Sequence, residues 1–235
     1  MFSRRLNRAI ALAAAAIAVA GGGYGIVSAT ASSGSATAGT ATTTTAGSNP
    51  GFGHAPGGAS NARSGPAAGG TVGTVASVSK SSFTVSTSAG QKVTVHVASS
   101  TKYKKGTRSI TASAIKKGQS VLVLGTTNGT TITATQVVVQ STSATSSAVV
   151  PFERGAPSTA KQVGQIPANY SQGSGTIVSG TTANKATVAA LAAYPGGVVD
   201  RVVKLSNGEY EVHNIGVNWP HHVFVNKSFK VVGAN

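Results

Sequence analysis

The chain of 235 residues contains no cysteine. That excludes a disulfide framework, a thiolate metal centre, a cysteine nucleophile and a lipid-modified cysteine. Acids are almost as scarce: 4 Asp and Glu stand against 19 Lys and Arg, a formal charge of +15 at pH 7. So few carboxylates leave little material for chemistry that needs paired acids, and the imbalance favours polyanionic partners. Aromatic residues make up 5% and there is one Trp, so any core must rest mainly on Val, Ile, Leu and Ala. Ser is common but sits in Thr-, Gly- and Ala-rich surroundings without a G-x-S-x-G motif. A nucleophile needs a base and an orienting group beside it, and none is apparent. No enzyme and no cofactor is therefore expected; a secreted hydrolase of unrecognised type is the remaining catalytic alternative.

What is present begins with a leader. Arg4, Arg5 and Arg8 precede an apolar run over 9–20, and Ala29-Thr30-Ala31 follows. A basic start, an apolar stretch and a small-x-small triplet are the parts of a signal peptide, assigned to residues 1–31. The apolar run extends toward Val27, so an uncleaved membrane anchor is the alternative, and a secreted or cell-surface location is expected either way. Residues 32–69 are Ser-, Thr-, Ala- and Gly-rich, with Pro50, Pro56 and Pro66 and one charge, Arg63. Such a stretch buries too little to offset ordering, and reads as a disordered tether that includes His54.

From 70 to 140 the pattern turns to period two. Phe83/Val85, Val93/Val95/Val97 and Val121/Val123 alternate with Ser, Thr or Lys. Five strands are expected over 71–79, 82–86, 92–97, 120–124 and 131–139, with turns at Ser88-Ala89-Gly90-Gln91 and Asn128-Gly129. Closure removes exposed edges, so a small all-β, OB-like barrel is the expected fold. The residues GTVASVSKSSFTVSTSAGQKVTVHV and AIKKGQSVLVLGTTNGTTITATQVVV resemble a bacterial envelope domain known only as a domain of unknown function. That resemblance implies a barrel in an exported protein and brings no activity with it.

Residues 141–180, with Pro151, Pro157 and Pro167, read as a second disordered linker. Residues 181–235 then read as a separate α+β domain. Thr181 or Thr182 caps a helix over 183–193, which Tyr194-Pro195-Gly196-Gly197 ends. Strands are expected over 198–205, 209–214, 221–226 and 229–232, with Tyr210 and Val212 inward and Glu209, Glu211 and His213 outward. The residues AALAAYPGGVVDRVVKLSNGEYEVH and HVFVNKSFKVVG resemble the PepSY-like domains of exported actinobacterial proteins. The resemblance implies a non-catalytic module that binds or restrains a peptidase. Asn226, where relatives often carry Asp, and the segment Asn214–Pro220 depart from that pattern.

Three constellations follow. Lys102, Lys104, Lys105, Arg108, Lys116 and Lys117 lie in a region without a single acid. They are the candidates for contact with an anionic cell-wall polymer or a membrane surface, with 102–105 expected in a loop. Nucleic acid is not expected, because export removes it and stacking aromatics are few. His213 and one of His221 and His222 share a strand face, but without a placed carboxylate no metal site is expected. Trp219, with Tyr210, is the candidate docking point for an unknown protein partner, a peptidase among the possibilities. The sequence thus describes an exported, non-enzymatic binding or regulatory module, with charge-driven polymer binding as its alternative.

Overall fold

Alternation of Val with Ser, Thr and Lys gives strands with one apolar face, and such strands are stable only when that face is covered. A computed structural model describes residues 65–141, 149–157 and 161–235. Its first six strands are β1 (Ala67–Val78), β2 (Ser82–Ser86), β3 (Lys92–Lys105), β4 (Arg108–Ile110), β5 (Ser120–Asn128) and β6 (Thr131–Val139). Five of them close a barrel in the order β1-β2-β3-β6-β5-β1, and β4 hangs on β3. The β3–β6 pair is parallel and the other barrel pairs are antiparallel. Phe83, Val85, Val93, Val95, Val121, Val123, Ile132 and Val137 fill the interior. A small closed barrel is thus what the alternating pattern produces.

The remaining elements are β7 (Val150–Pro151), β8 (Val163–Gly164), β9 (Thr176–Ile177), α1 (Gly180–Ala193), β10 (Val198–Lys204), β11 (Tyr210–Ile215), β12 (Val217–Trp219), β13 (His222–Val225) and β14 (Val231–Ala234). The sheet runs β10-β11-β13-β14-β8. On its outer edge β10 pairs with β1 near its start and with β9 near its end. Helix α1 buries Ala183, Ala186, Ala190 and Leu191 against Val199, Val202, Val212 and Val223, and the same core takes in Leu122, Leu124 and Val138 of the barrel wall. Ser179 caps the helix with extended backbone and no side-chain hydrogen bond, where Thr181 or Thr182 was expected. On the opposite sheet face Val203, Leu205 and Phe224 lie under Ile166, Tyr170 and Ile177.

Two separate bodies were expected, and the described residues share one sheet instead. Gly70 pairs with Val199 and Thr71 with Val198, Thr71 Oγ1 donates to Gly197 O at 2.8 Å, and Val198 belongs to the barrel core. The junction is built on glycine: a Cβ at Gly69 would stand 1.9 Å from Val199 O, and one at Gly70 would stand 2.2 Å from Val123 O. Absent side chains are what let three backbones meet, yet in the sequence they read as the end of a tether. Residues 161–178, expected as linker, supply β8, β9 and the cover over the third core. The leader, residues 32–64 of the tether, and 142–148 and 158–160 of the linker lie outside the described residues. Among the described residues no helix is long and apolar enough to cross a membrane.

Candidate functional site

The cationic residues sit on strand and hairpin rather than in the expected loop, because β3 continues to Lys105. Its alternation turns Tyr103 toward the barrel core and sends Lys102 and Lys104 outward beside Gln136 and Val138 of β6. The chain reverses at Gly106, whose φ of 59° is the left-handed conformation glycine adopts at no steric cost. Lys105 then stands opposite Arg108. Like charges facing each other across a strand pair destabilise a sheet, so this pairing is a cost that an external anion would relieve.

The same end of the barrel gathers further cations. Gly118 N donates to Val75 O and Val75 N to Gln119 O, which brings Lys116 and Lys117 alongside β1. Ser120 follows directly, and in register across the sheet Val121 pairs with Val139, which pairs with Lys105. The tip of the β3–β4 hairpin and the 116–117 turn therefore border one rim. Lys102, Lys105, Arg108, Lys116 and Lys117 are exposed and Lys104 is half-buried. Among the described residues the three ion pairs all lie within the C-terminal sheet, so none neutralises this rim. Burial raises the Tyr103 hydroxyl above its ordinary pKa, in keeping with its inward position.

A second constellation was not foreseen. Arg201 and Glu211, at 2% and 1% exposure, are buried on the sheet face that carries Phe224. Glu211 was expected outward; period two distinguishes two faces but not which one meets water, and residues 161–178 cover this one. His222 Nδ1–H donates to Glu211 Oε1 at 2.6 Å. The Tyr170 hydroxyl, 3.0 Å from that nitrogen, caps the pair. Its pKa is pushed well above the ordinary value by burial first, and then by the Glu211 charge against the opposing effect of Arg201.

Asp200 stands at the edge of the same cluster. His213 Nδ1 is 2.6 Å from Asp200 Oδ1 and 3.1 Å from Arg201 Nη1. The shorter contact matches donor to carboxylate, so Nδ1–H belongs to Asp200, while Arg201 faces Asp200 Oδ2 at 3.5 Å. His221 Nδ1 donates to the carbonyl of Asn214 at 3.2 Å. Partial burial of the His221 ring lowers its pKa, and the neighbouring His213 and His222 act in the same direction, against the Asn214 bond. All three imidazoles are neighbours: His213 lies 5.2 Å from His222 and 6.4 Å from His221, centroid to centroid. The expectation that only one of the adjacent pair would approach His213 fails because β13 begins at His222, which leaves His221 in the preceding bend. The charged pair inside VVDRVVK was the available signal, since Asp and Arg flanked by valines imply buried partners.

Trp219 and Tyr210 are not docking points. Trp219 is 2% exposed; its Nε1–H donates to Lys161 O at 2.6 Å, and Tyr194 meets it edge-on at 5.4 Å. Its loop is tied down by pairing of β12 with β7. Tyr210 is 9% exposed and stacks on Phe229 at 5.4 Å. Both carry packing area that a partner cannot reach.

Among known families, residues 72–138 match one described as a domain of unknown function, DUF5666. The matched stretch begins within β1 and ends within β6, so it lies inside the barrel region. No PepSY family match accompanies it. No curated protein and no solved structure matches the chain.

Proposed function

We propose that the chain is an exported, non-enzymatic envelope protein whose barrel attaches it to anionic cell-wall polymer. The observation that carries this reading is the rim formed by Lys102, Lys104, Lys105, Arg108, Lys116 and Lys117, without an acid anywhere in the barrel and with Lys105 set against Arg108. A folded domain tolerates such crowding at a small cost in stability, and a polymer of regularly spaced negative charge offsets it. Nucleic acid fits less well: the barrel's two aromatic residues are Phe83, which is buried, and Tyr103, which packs on the core, so no stacking platform faces outward. The leader features of residues 1–31 support export. Co-sedimentation of the mature chain with purified cell walls tests the proposal, with anionic vesicles as the parallel arm. Binding to walls that falls steeply with salt supports it. Binding to vesicles alone would move the target to lipid headgroups.

A second reading, contact of the C-terminal sheet with a peptidase, draws on the order helix, strand, hairpin and closing strands over 180–234 that the PepSY-like resemblance implies.

A further inference from the structure

The histidine cluster has a use that polymer attachment leaves open. His213 and His222 are direct partners across β11 and β13. The flanking hydrogen bond from Asn214 N to His221 O makes theirs the non-hydrogen-bonded kind of pair, in which side chains approach most closely. Each ring has its Nδ1 committed to a carboxylate, Asp200 for His213 and Glu211 for His222, both at 2.6 Å. An Nδ1–H held in this way fixes the tautomer and leaves Nε2 with a lone pair, the arrangement that orients histidines as metal ligands. Neither Nε2 has a hydrogen-bond partner among the described residues, and neither is among the buried polar atoms left unsatisfied. The side chains keep 14% and 13% exposure, so a path to solvent exists.

We propose that His213 and His222 form a two-histidine chelate for a borderline divalent transition metal such as Zn²⁺, through their Nε2 atoms. Among the described residues no group of three or more His, Asp or Glu side chains is placed to hold a metal ion, so the chelate is limited to these two rings, and a metal bound there would complete its coordination from solvent. Imidazole ligation selects Zn²⁺, Cu²⁺ or Ni²⁺ over Mg²⁺ and Ca²⁺, which take oxygen. Asp200 and Glu211 are positioning residues here, acting through the rings they hold.

The test uses the wild-type chain at pH 7.5, titrated with ZnCl₂ and followed by long-range ¹H–¹⁵N spectra of the imidazoles and by calorimetry. Before metal, His213 and His222 must show protonated Nδ1 and unprotonated Nε2. With Zn²⁺ their Nε2 resonances must shift while those of His96, exposed on β3, stay in place. His213→Gln should abolish saturable binding, and Asp200→Asn should weaken it by about tenfold without removing a ligand. His221→Gln and His96→Gln should leave the affinity unchanged, and MgCl₂ should give no heat. The proposal is overturned if the free protein carries its protons on Nε2, if Zn²⁺ at millimolar concentration leaves both resonances unmoved, or if His221→Gln costs as much as His213→Gln. The spectra of the unmodified chain decide the matter even if a variant fails to fold.

Discussion

Thr71→Val asks whether the barrel and the C-terminal sheet are one cooperative structure. Thr71 is fully buried in β1, and its hydroxyl donates to Gly197 O across the junction at 2.8 Å. Valine has nearly the same shape, so packing against Val198 is kept and one buried hydrogen bond is lost. The Gly197 carbonyl, in a buried residue, is left without that donor. Leaving a buried polar group unpaired costs about 2 kcal/mol. For a folded region of this size that amounts to a fall in melting temperature of roughly 4–8 °C. Two probes are needed: emission of Trp219, which sits on the β7–β12 pair against Tyr194 at the end of α1 and reports the C-terminal part, and methyl signals of Val85 and Val95, which report the barrel interior. Because Val198 packs in the barrel core while Leu122, Leu124 and Val138 pack with α1, both probes should move together in wild type and variant. The reasoning fails if wild type shows two separated transitions, or if the substitution shifts Trp219 and leaves the barrel signals where they were.

Two other outcomes follow from the same contacts. Gly73→Ala should prevent barrel closure, since a Cβ there would lie 2.4 Å from Ser86 O and 2.7 Å from Val85 Cγ1; circular dichroism and the melting curve read it, and a near-native melt would contradict the stated geometry. Tyr103, Tyr170 and Tyr194 all have hydroxyls raised above pKa 10.0, chiefly by burial. The folded state therefore holds these protons more tightly than the unfolded chain, so the stability they contribute is complete below pH 10 and declines as pH rises through their folded values. Absorbance at alkaline pH should show these residues ionising late and together with unfolding; early, reversible ionisation of all three in the native state would contradict their placement.

The barrel was legible because Phe83/Val85 and Val93/Val95/Val97 alternate strictly, and strict alternation leaves one face that must be covered. The junction was hidden for the opposite reason. Gly69, Gly70 and Thr71 bring no apolar bulk, and their importance lies in backbone approach, which has no hydrophobic signature. Glu211 reads as outward on the right strand but is buried, because Ile166, Tyr170 and Ile177, in a stretch whose composition resembles linker, cover the sheet face it shares with Phe224. Trp219 beside Pro220 reads as an exposed loop residue; what fixes it is β7, a two-residue strand too short to leave a pattern. The cationic residues were legible by type, while their gathering at one rim depended on pairings as distant in sequence as Lys105 with Val139.

The central claim is that the rim binds polymer by charge. Affinity for purified cell walls, measured across a salt series for wild type and for the variant with Lys102, Lys104, Lys105 and Arg108 all changed to Ser, addresses it most directly. By the slope of about 0.7 per ionic contact seen for a single-stranded polyanion, losing four contacts should flatten log affinity against log salt by roughly 3 and weaken binding strongly at low salt. A variant that binds walls as tightly as wild type, with the same salt slope, would contradict the account.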